Sequence, residues 1–286
     1  MTDVVPDPGQ GPDRRRVSRR VVIGIVVGVV VLLGAAIGVG AYLWQQDDAR
    51  PVSINEARER LDGEGGDGSA GGTFVPAEGV YRYTGSGSEA LSTPPKSQAE
   101  GPEMPATVIH HAHGCWTFRI DYSTNHWQDW RYCARDGRLV EEGGRTFQRW
   151  DFVVSTIENT STFVCEPPIV VLRSDMVPGE TWPQSCAGTN TNVGGTTVSS
   201  GDIRFVGIEP LDVGGTTVDA FHFVQPRTIS GAQAGEENSE LWFAPNGLPL
   251  RNQRHIVIDS DSPIGTITYT EDGSFTLTSL EPTRKR

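Results

Sequence analysis

The chain lacks most of what would announce a chemistry. It has no Gly-x-Ser-x-Gly elbow, no phosphate-binding loop, no His-Glu-x-x-His and no dinucleotide fingerprint. The common nucleophilic, nucleotide-dependent and zinc-hydrolase designs therefore have no residues to stand on. Cysteine is scarce: four in 286 residues, none before Cys115 and none in a Cys-x-x-Cys spacing. That excludes zinc ribbons, thioredoxin-like redox chemistry and a lipid attached beside an N-terminal apolar segment. No repeat of fixed period occurs, nor any amphipathic helix longer than about two turns. A non-enzymatic protein without a cofactor is expected.

What the chain does have begins with Val21–Trp44, a run of 24 residues without a charge. As a helix it would extend about 36 Å, enough to cross a hydrocarbon layer of about 30 Å. Its length exceeds the apolar region of a cleaved signal peptide, although Val39-Gly40-Ala41 would suit cleavage. Arg14, Arg15, Arg16, Arg19 and Arg20 precede it, and Asp47 and Asp48 follow. The positive side stays in the cytoplasm, so a single-pass anchor with an extracytoplasmic C-terminal domain is expected. The net charge of −12 comprises +2 for residues 1–20 and −14 beyond the span. A surface that acidic repels phosphate backbones, so nucleic acid is not an expected partner.

The organisation read from the sequence is a basic tail at 1–20, a membrane helix at 21–44, a juxtamembrane segment at 45–72 and a β domain at 73–286. Ser53-Ile-Asn-Glu56 is a capping box that starts a short helix through Leu61, and Gly63–Gly72 is a flexible linker. From Thr73 to Leu280, short runs of β-branched and aromatic residues alternate with glycine pairs. Asp136-Gly137, Gly143-Gly144, Gly194-Gly195, Gly214-Gly215, Asn246-Gly247 and Asp272-Gly273 are each expected to turn the chain. Ala90–Pro105, with four prolines and no apolar period, reads as a loose loop or flap.

One hairpin can be registered residue by residue. With Ser123–Asn125 as its turn, Cys115 faces Cys133, Trp116 faces Tyr132, Phe118 faces Trp130, and Arg119 faces Asp129 as an ion pair. Strand side chains alternate, so the rings share one face and the cysteines and charges share the other. Cys115–Cys133 is then a disulfide, and Cys165–Cys186 follows by elimination in a compartment that permits oxidation.

Nearer the C-terminus, residues 205–223 followed by Glu240-Leu-Trp-Phe-Ala-Pro-Asn-Gly-Leu-Pro-Leu-Arg251 resemble a pattern of uncharacterised bacterial envelope proteins. The resemblance covers about residues 203–255. It implies a strongly curved antiparallel sheet, a half-barrel or open barrel like that of LolA-like and related mycobacterial lipoprotein carriers of lipids. It brings no catalytic residues. The chain departs from those carriers in having no lipobox.

The expected function is therefore a membrane-anchored envelope protein that binds an apolar or lipid ligand. A structural or assembly factor contacting another envelope protein is the alternative. Trp116, Phe118, Trp130, Tyr132 and Trp242 are the candidate ligand contacts, and as core filler they need no such role. The one constellation that could carry chemistry is His110-His111-Ala112-His113, with His126 near the hairpin turn; in a strand His111 and His113 would share one face about 7 Å apart. They are candidate metal ligands, with a polar outer face as the plainer reading and no metal expected.

Overall fold

The computed structural model describes residues 49–64, 72–152, 155–263 and 265–284. The expected span Val21–Trp44, the basic tail and most of the glycine linker lie outside them. Among the described residues, no helix is long and apolar enough to cross a membrane.

Helix α1 (Ile54–Glu64) starts at the expected capping box: Glu56 N donates to Ser53 Oγ at 3.3 Å, and Ser53 N donates back to Glu56 Oε2 at 2.8 Å. Its apolar residues Ala57 and Leu61, four apart and therefore on one face, bury against Val80 and Ile109. Arg60 forms an ion pair with Asp121. The helix thus lies against the sheet and belongs to the same compact unit.

The sheet has fourteen strands: β1 (Gly79–Tyr81), β2 (Tyr83–Ser92), β3 (Pro95–Glu100), β4 (Ala106–His110), β5 (Cys115–Asp121), β6 (His126–Arg135), β7 (Arg138–Phe152), β8 (Ser155–Arg173), β9 (Thr181–Asn190), β10 (Thr197–Val213), β11 (Thr216–Gly231), β12 (Gln233–Phe243), β13 (Pro249–Ser262) and β14 (Gly265–Leu277). Every pairing is antiparallel, in the order β1-β4-β5 onward to β14, then β2 and β3. The early β2–β3 hairpin therefore docks beside the last strand, and the sheet curls into a half-barrel. The β3 edge is tied across to the strands near the other end by polar bonds: Gln98 of β3 donates to Arg149 O of β7 at 3.2 Å, and Gly101 N donates to Tyr122 O in the β5–β6 turn at 3.0 Å.

The β5–β6 register is the expected one, Cys115 facing Cys133 through to Arg119 facing Asp129. Both disulfides, Cys115–Cys133 and Cys165–Cys186, are formed. The expected Arg119–Asp129 ion pair is not. Arg119 instead bonds Asp121 at 3.0 Å, and Asp129 accepts from Arg145 Nε of β7 at 3.0 Å. Both arginines lie over the Trp127 ring, at 4.0 and 5.6 Å from its centre, in cation–π contact.

Two glycine pairs are not turns. Gly143-Gly144 lies inside β7 at a bulge, where a Cβ on Gly143 would meet Phe163 O at 2.1 Å. Asp272-Gly273 lies mid-strand in β14. The other four pairs fall between strands, as expected. Ala90–Pro105 is also corrected: most of it is the β2–β3 hairpin, with Leu91 paired to Lys96. Its inward positions are Lys96, Gln98 and Glu100, all buried. A strand whose inner face is polar carries no apolar alternation to read.

The half-barrel is filled in layers. At one end, Trp116, Phe118, Tyr132, Phe223, Phe243 and Phe275 form an aromatic plug. The Asn246-Gly247 turn closes it from below. Gly247 has φ +86 and lies so close to Leu139 that a Cβ would approach within 3.0 Å. The family-like Trp-Phe-Ala-Pro segment thus folds into this plug, with Phe243, Ala244, Leu248 and Leu250 buried.

Candidate functional site

Above the plug the inward positions turn polar, and above those the interior opens. Along β13 the inward side chains run Asn252, Arg254, Ile256 and Ile258; along β14, in the opposite chain direction, they run Phe275, Gly273, Glu271, Tyr269 and Ile267. A half-open cavity of about 510 Å³ occupies the upper region. Ile256, Ile258, Ile267, Ile229, Trp150 and Phe152 supply apolar wall, while Gln128, Glu141, Arg227, Glu237 and Glu271 supply polar floor.

Beside that floor lies a buried charged belt of which the sequence motifs mark only His126. His126, with no exposure, places Nδ1 at 2.9 Å from Glu100 Oε1 and 3.5 Å from Glu89 Oε2. Glu89 also accepts from Tyr269 at 2.9 Å and Gln148 at 3.3 Å. Arg254 forms an ion pair with Glu271, approaches Glu100 to 3.7 Å, and donates to Gln128 at 2.6 Å. Its guanidinium lies 4.1 Å from the centre of the Tyr122 ring. Buried charges persist only when paired, and the belt pairs each of its charges, although Glu100 Oε2, His126 Nε2 and Arg254 Nε have no hydrogen-bond partner.

The positions opposite the belt are vacated for it. A Cβ on Gly87 would stand 2.5 Å from Glu100 Oε2, and one on Gly273 would stand 2.8 Å from the same atom. Glycine at these inward sites of β2 and β14 makes the room the carboxylate occupies.

Ionisation follows from the same geometry. Burial pushes Glu89 up, only partly offset by the charge of His126. Burial also acts on Glu100, but its bond to His126 and the charges of His126 and Arg254 prevail and hold it below its ordinary value. Glu141 is pushed up by burial, with Arg227 opposing. The phenols of Tyr122 and Tyr269 are raised chiefly by burial.

As a metal-binding group, Glu100, His126 and Glu271 offer ligand atoms all within 4.8 Å of one another. Arg254 already stands as the cation among them, paired with Glu271. The two other such groups among the described residues consist largely of disulfide sulfurs. His111 and His113 are not brought together on a strand. They lie at a 3₁₀ turn, Ala112–Gly114, where His113 has φ +62 and His111 Nε2 is 2.8 Å from Thr117 Oγ1.

The aromatic candidates divide. Trp130 lines the cavity, while Trp116, Phe118 and Tyr132 lie beneath it in the plug. Trp242 lies on the opposite face of β12 from Glu237, stacked on His222 at 4.2 Å with Arg251 at 4.7 Å from its ring.

Comparison with known proteins finds no family model and no curated relative that matches. A solved structure, the hypothetical lipoprotein YmcC from Escherichia coli (K12), shares 14% identity, covering 80% of this chain and 98% of that one at a TM-score of 0.30. A superposition that loose carries no weight for function.

Proposed function

We propose that the chain is a membrane-anchored binding protein of a bacterial cell envelope that holds an apolar or amphiphilic ligand in the open end of its half-barrel. The observation that supports this reading is the cavity. Its volume of about 510 Å³ falls within the roughly 300–1,000 Å³ usual for small-molecule sites. Its apolar wall above a polar floor suits a molecule with one polar end. The anchor at Val21–Trp44, a cytoplasmic N-terminus and the likeness of residues 203–255 to LolA-like carriers belong to the same proposal. A filled interior would have favoured an assembly factor acting on another envelope protein; the open interior favours a ligand.

The test is to extract the full-length chain from membranes, wash it, denature it and identify released small molecules by mass spectrometry. The parent chain should release an amphiphile near one equivalent. Ile258→Trp, which fills the cavity, should release far less. Equal recovery from both would assign the molecule to the detergent shell or the span and overturn the reading.

A further inference from the structure

The cavity floor carries information about the head group that fits it. Five carboxylates and two guanidinium groups line the cavity. Most are engaged: Arg145 bonds Asp129 at 3.0 Å, Arg227 faces Glu237 at 3.7 Å, and Glu271 is held by Arg254. Asp261 lies exposed near the mouth, where Thr266 donates to it at 3.2 Å.

Glu141 is different. It is 6% exposed, and its Oε1 lies 4.0 Å from Cys165 Sγ. That sulfur belongs to a disulfide and has no proton to donate, so the buried carboxylate receives no hydrogen bond from it. Across the same disulfide, Cys186 pairs in register with Ser199, which also lines the cavity and whose buried Oγ has no hydrogen-bond partner. Two unpartnered groups therefore flank the Cys165–Cys186 bridge on the cavity floor. An unsatisfied buried polar group is costly, and a ligand that satisfies it gains correspondingly.

We infer that the cavity selects amphiphiles whose polar end is not anionic and donates hydrogen bonds, an ammonium or a hydroxyl group, seated against Glu141 and Ser199. The inference rests on the ligand-binding reading above and deepens it. An anionic head group would bring like charge against an unpaired buried carboxylate, in a site where carboxylates already outnumber guanidinium groups and the low dielectric magnifies the repulsion. A donor instead supplies the hydrogen bond that Glu141 lacks. Arg227 does not reverse this preference, because Glu237 neutralises it and Gln184 and Gln225 accept from it at 3.2 and 3.1 Å.

The experiment uses the full-length chain in phosphatidylcholine nanodiscs and three photoactivatable amphiphiles with the same tail, headed by glycerol, by a primary amine and by a carboxylate. Labelled peptides are mapped by mass spectrometry. The amine or glycerol probe should label β7, β11 and β13 at concentrations about tenfold below the carboxylate probe, the scale of one charge-assisted hydrogen bond. Preference for the amine would identify the donor as a cation, and preference for glycerol as a hydroxyl; either supports the inference. Glu141→Gln should narrow the gap between amine and carboxylate. Equal or preferential labelling by the carboxylate probe in the parent chain would overturn the head-group assignment while leaving the cavity as a ligand site. Absence of labelling on cavity strands with all three probes would instead overturn the ligand-binding reading itself. The parent-chain series needs no variant, so misfolding of Glu141→Gln would not obscure the result.

Discussion

His126 Nδ1 lies 2.9 Å from Glu100 Oε1, and neither side chain reaches solvent. Removing one partner of a buried pair strands the other, at a cost of about 3–5 kcal/mol. His126→Ala should therefore lose about 3 kcal/mol in denaturant unfolding at neutral pH. Glu100 is held below its ordinary value by this contact and by Arg254, against the opposing effect of burial. Its contribution is present above the unfolded carboxylate pKa and fades as pH falls through the folded one, so the variant and parent should converge in acid. A loss under about 1 kcal/mol at neutral pH would mean that the pair does not stabilise the fold.

Glu141 carries the opposite sign. Burial raises its pKa, with Arg227 opposing. A raised folded value gives stability that is full below the unfolded carboxylate pKa and lost as pH rises through the folded one. Glu141→Gln, which cannot ionise, should therefore unfold at higher denaturant than the parent at about pH 7.5 and at nearly the same denaturant at about pH 4. Equal shifts at both pH values would show that Glu141 does not titrate between them.

Gly273 and Glu100 should be energetically coupled, since a Cβ at 273 would stand 2.8 Å from Glu100 Oε2. Gly273→Ala should cost about 1–3 kcal/mol as local overpacking. Glu100→Gln keeps the bulk of the side chain, whereas Glu100→Ala removes it. In a double-mutant cycle, Gly273→Ala should therefore cost markedly less in the Glu100→Ala background than in the Glu100→Gln background. An identical cost in both would mean that the glycine serves the backbone alone.

The parts legible in the sequence are those where neighbours along the chain constrain each other. The β5–β6 register could be read because a cysteine pair and two ring pairs agree on it, even though the Arg119–Asp129 pairing chose other partners. The capping box depends on residues three apart and is equally local. Glycine pairs were ambiguous, because a glycine that allows a turn also allows close approach inside a strand. Phe163 O decides the matter at Gly143, and Glu100 Oε2 weighs in at Gly273. The charged belt was illegible for a different reason. His126, Arg254 and Glu271 come from distant strands, and Glu100 sits on a strand whose inner face is wholly polar. Alternation locates inner faces only when they are apolar.

The two disulfides close short loops, with sequence separations of 18 and 21. Chain-entropy reasoning assigns loops of that size about 3 kcal/mol each. Replacing Cys115 and Cys133 together by serine should lower stability by that amount, and replacing Cys165 and Cys186 likewise. The second pair has an added consequence, because Cys186 lines the cavity and Cys165 abuts Glu141. Its replacement should change ligand recovery as well as stability, whereas the first should change stability alone. Peptide mapping under non-reducing conditions that joined Cys133 to Cys165 would contradict the arrangement.

Trp116 and Trp130 share the inward face of the β5–β6 hairpin but occupy different layers. Trp116 is fully buried in the plug, with Nε1 donating to Phe74 O at 3.0 Å. Trp130 is partly exposed, tilts against Phe118 with ring centres 5.9 Å apart, and lines the cavity. Truncating a fully buried tryptophan leaves a void and costs about 3–5 kcal/mol, and less where the site already opens to a cavity. Trp116→Ala should therefore fall in that range and leave Phe74 O without its donor. Trp130→Ala should cost about 1–2 kcal/mol, because its removal enlarges an existing space rather than creating one. The functional readout should reverse the order: of the variants that fold, Trp130→Ala should lose bound amphiphile and Trp116→Ala should retain it. Equal stability losses for the two, with no change in ligand recovery for Trp130→Ala, would make Trp130 a core residue and remove the aromatic wall from the ligand site.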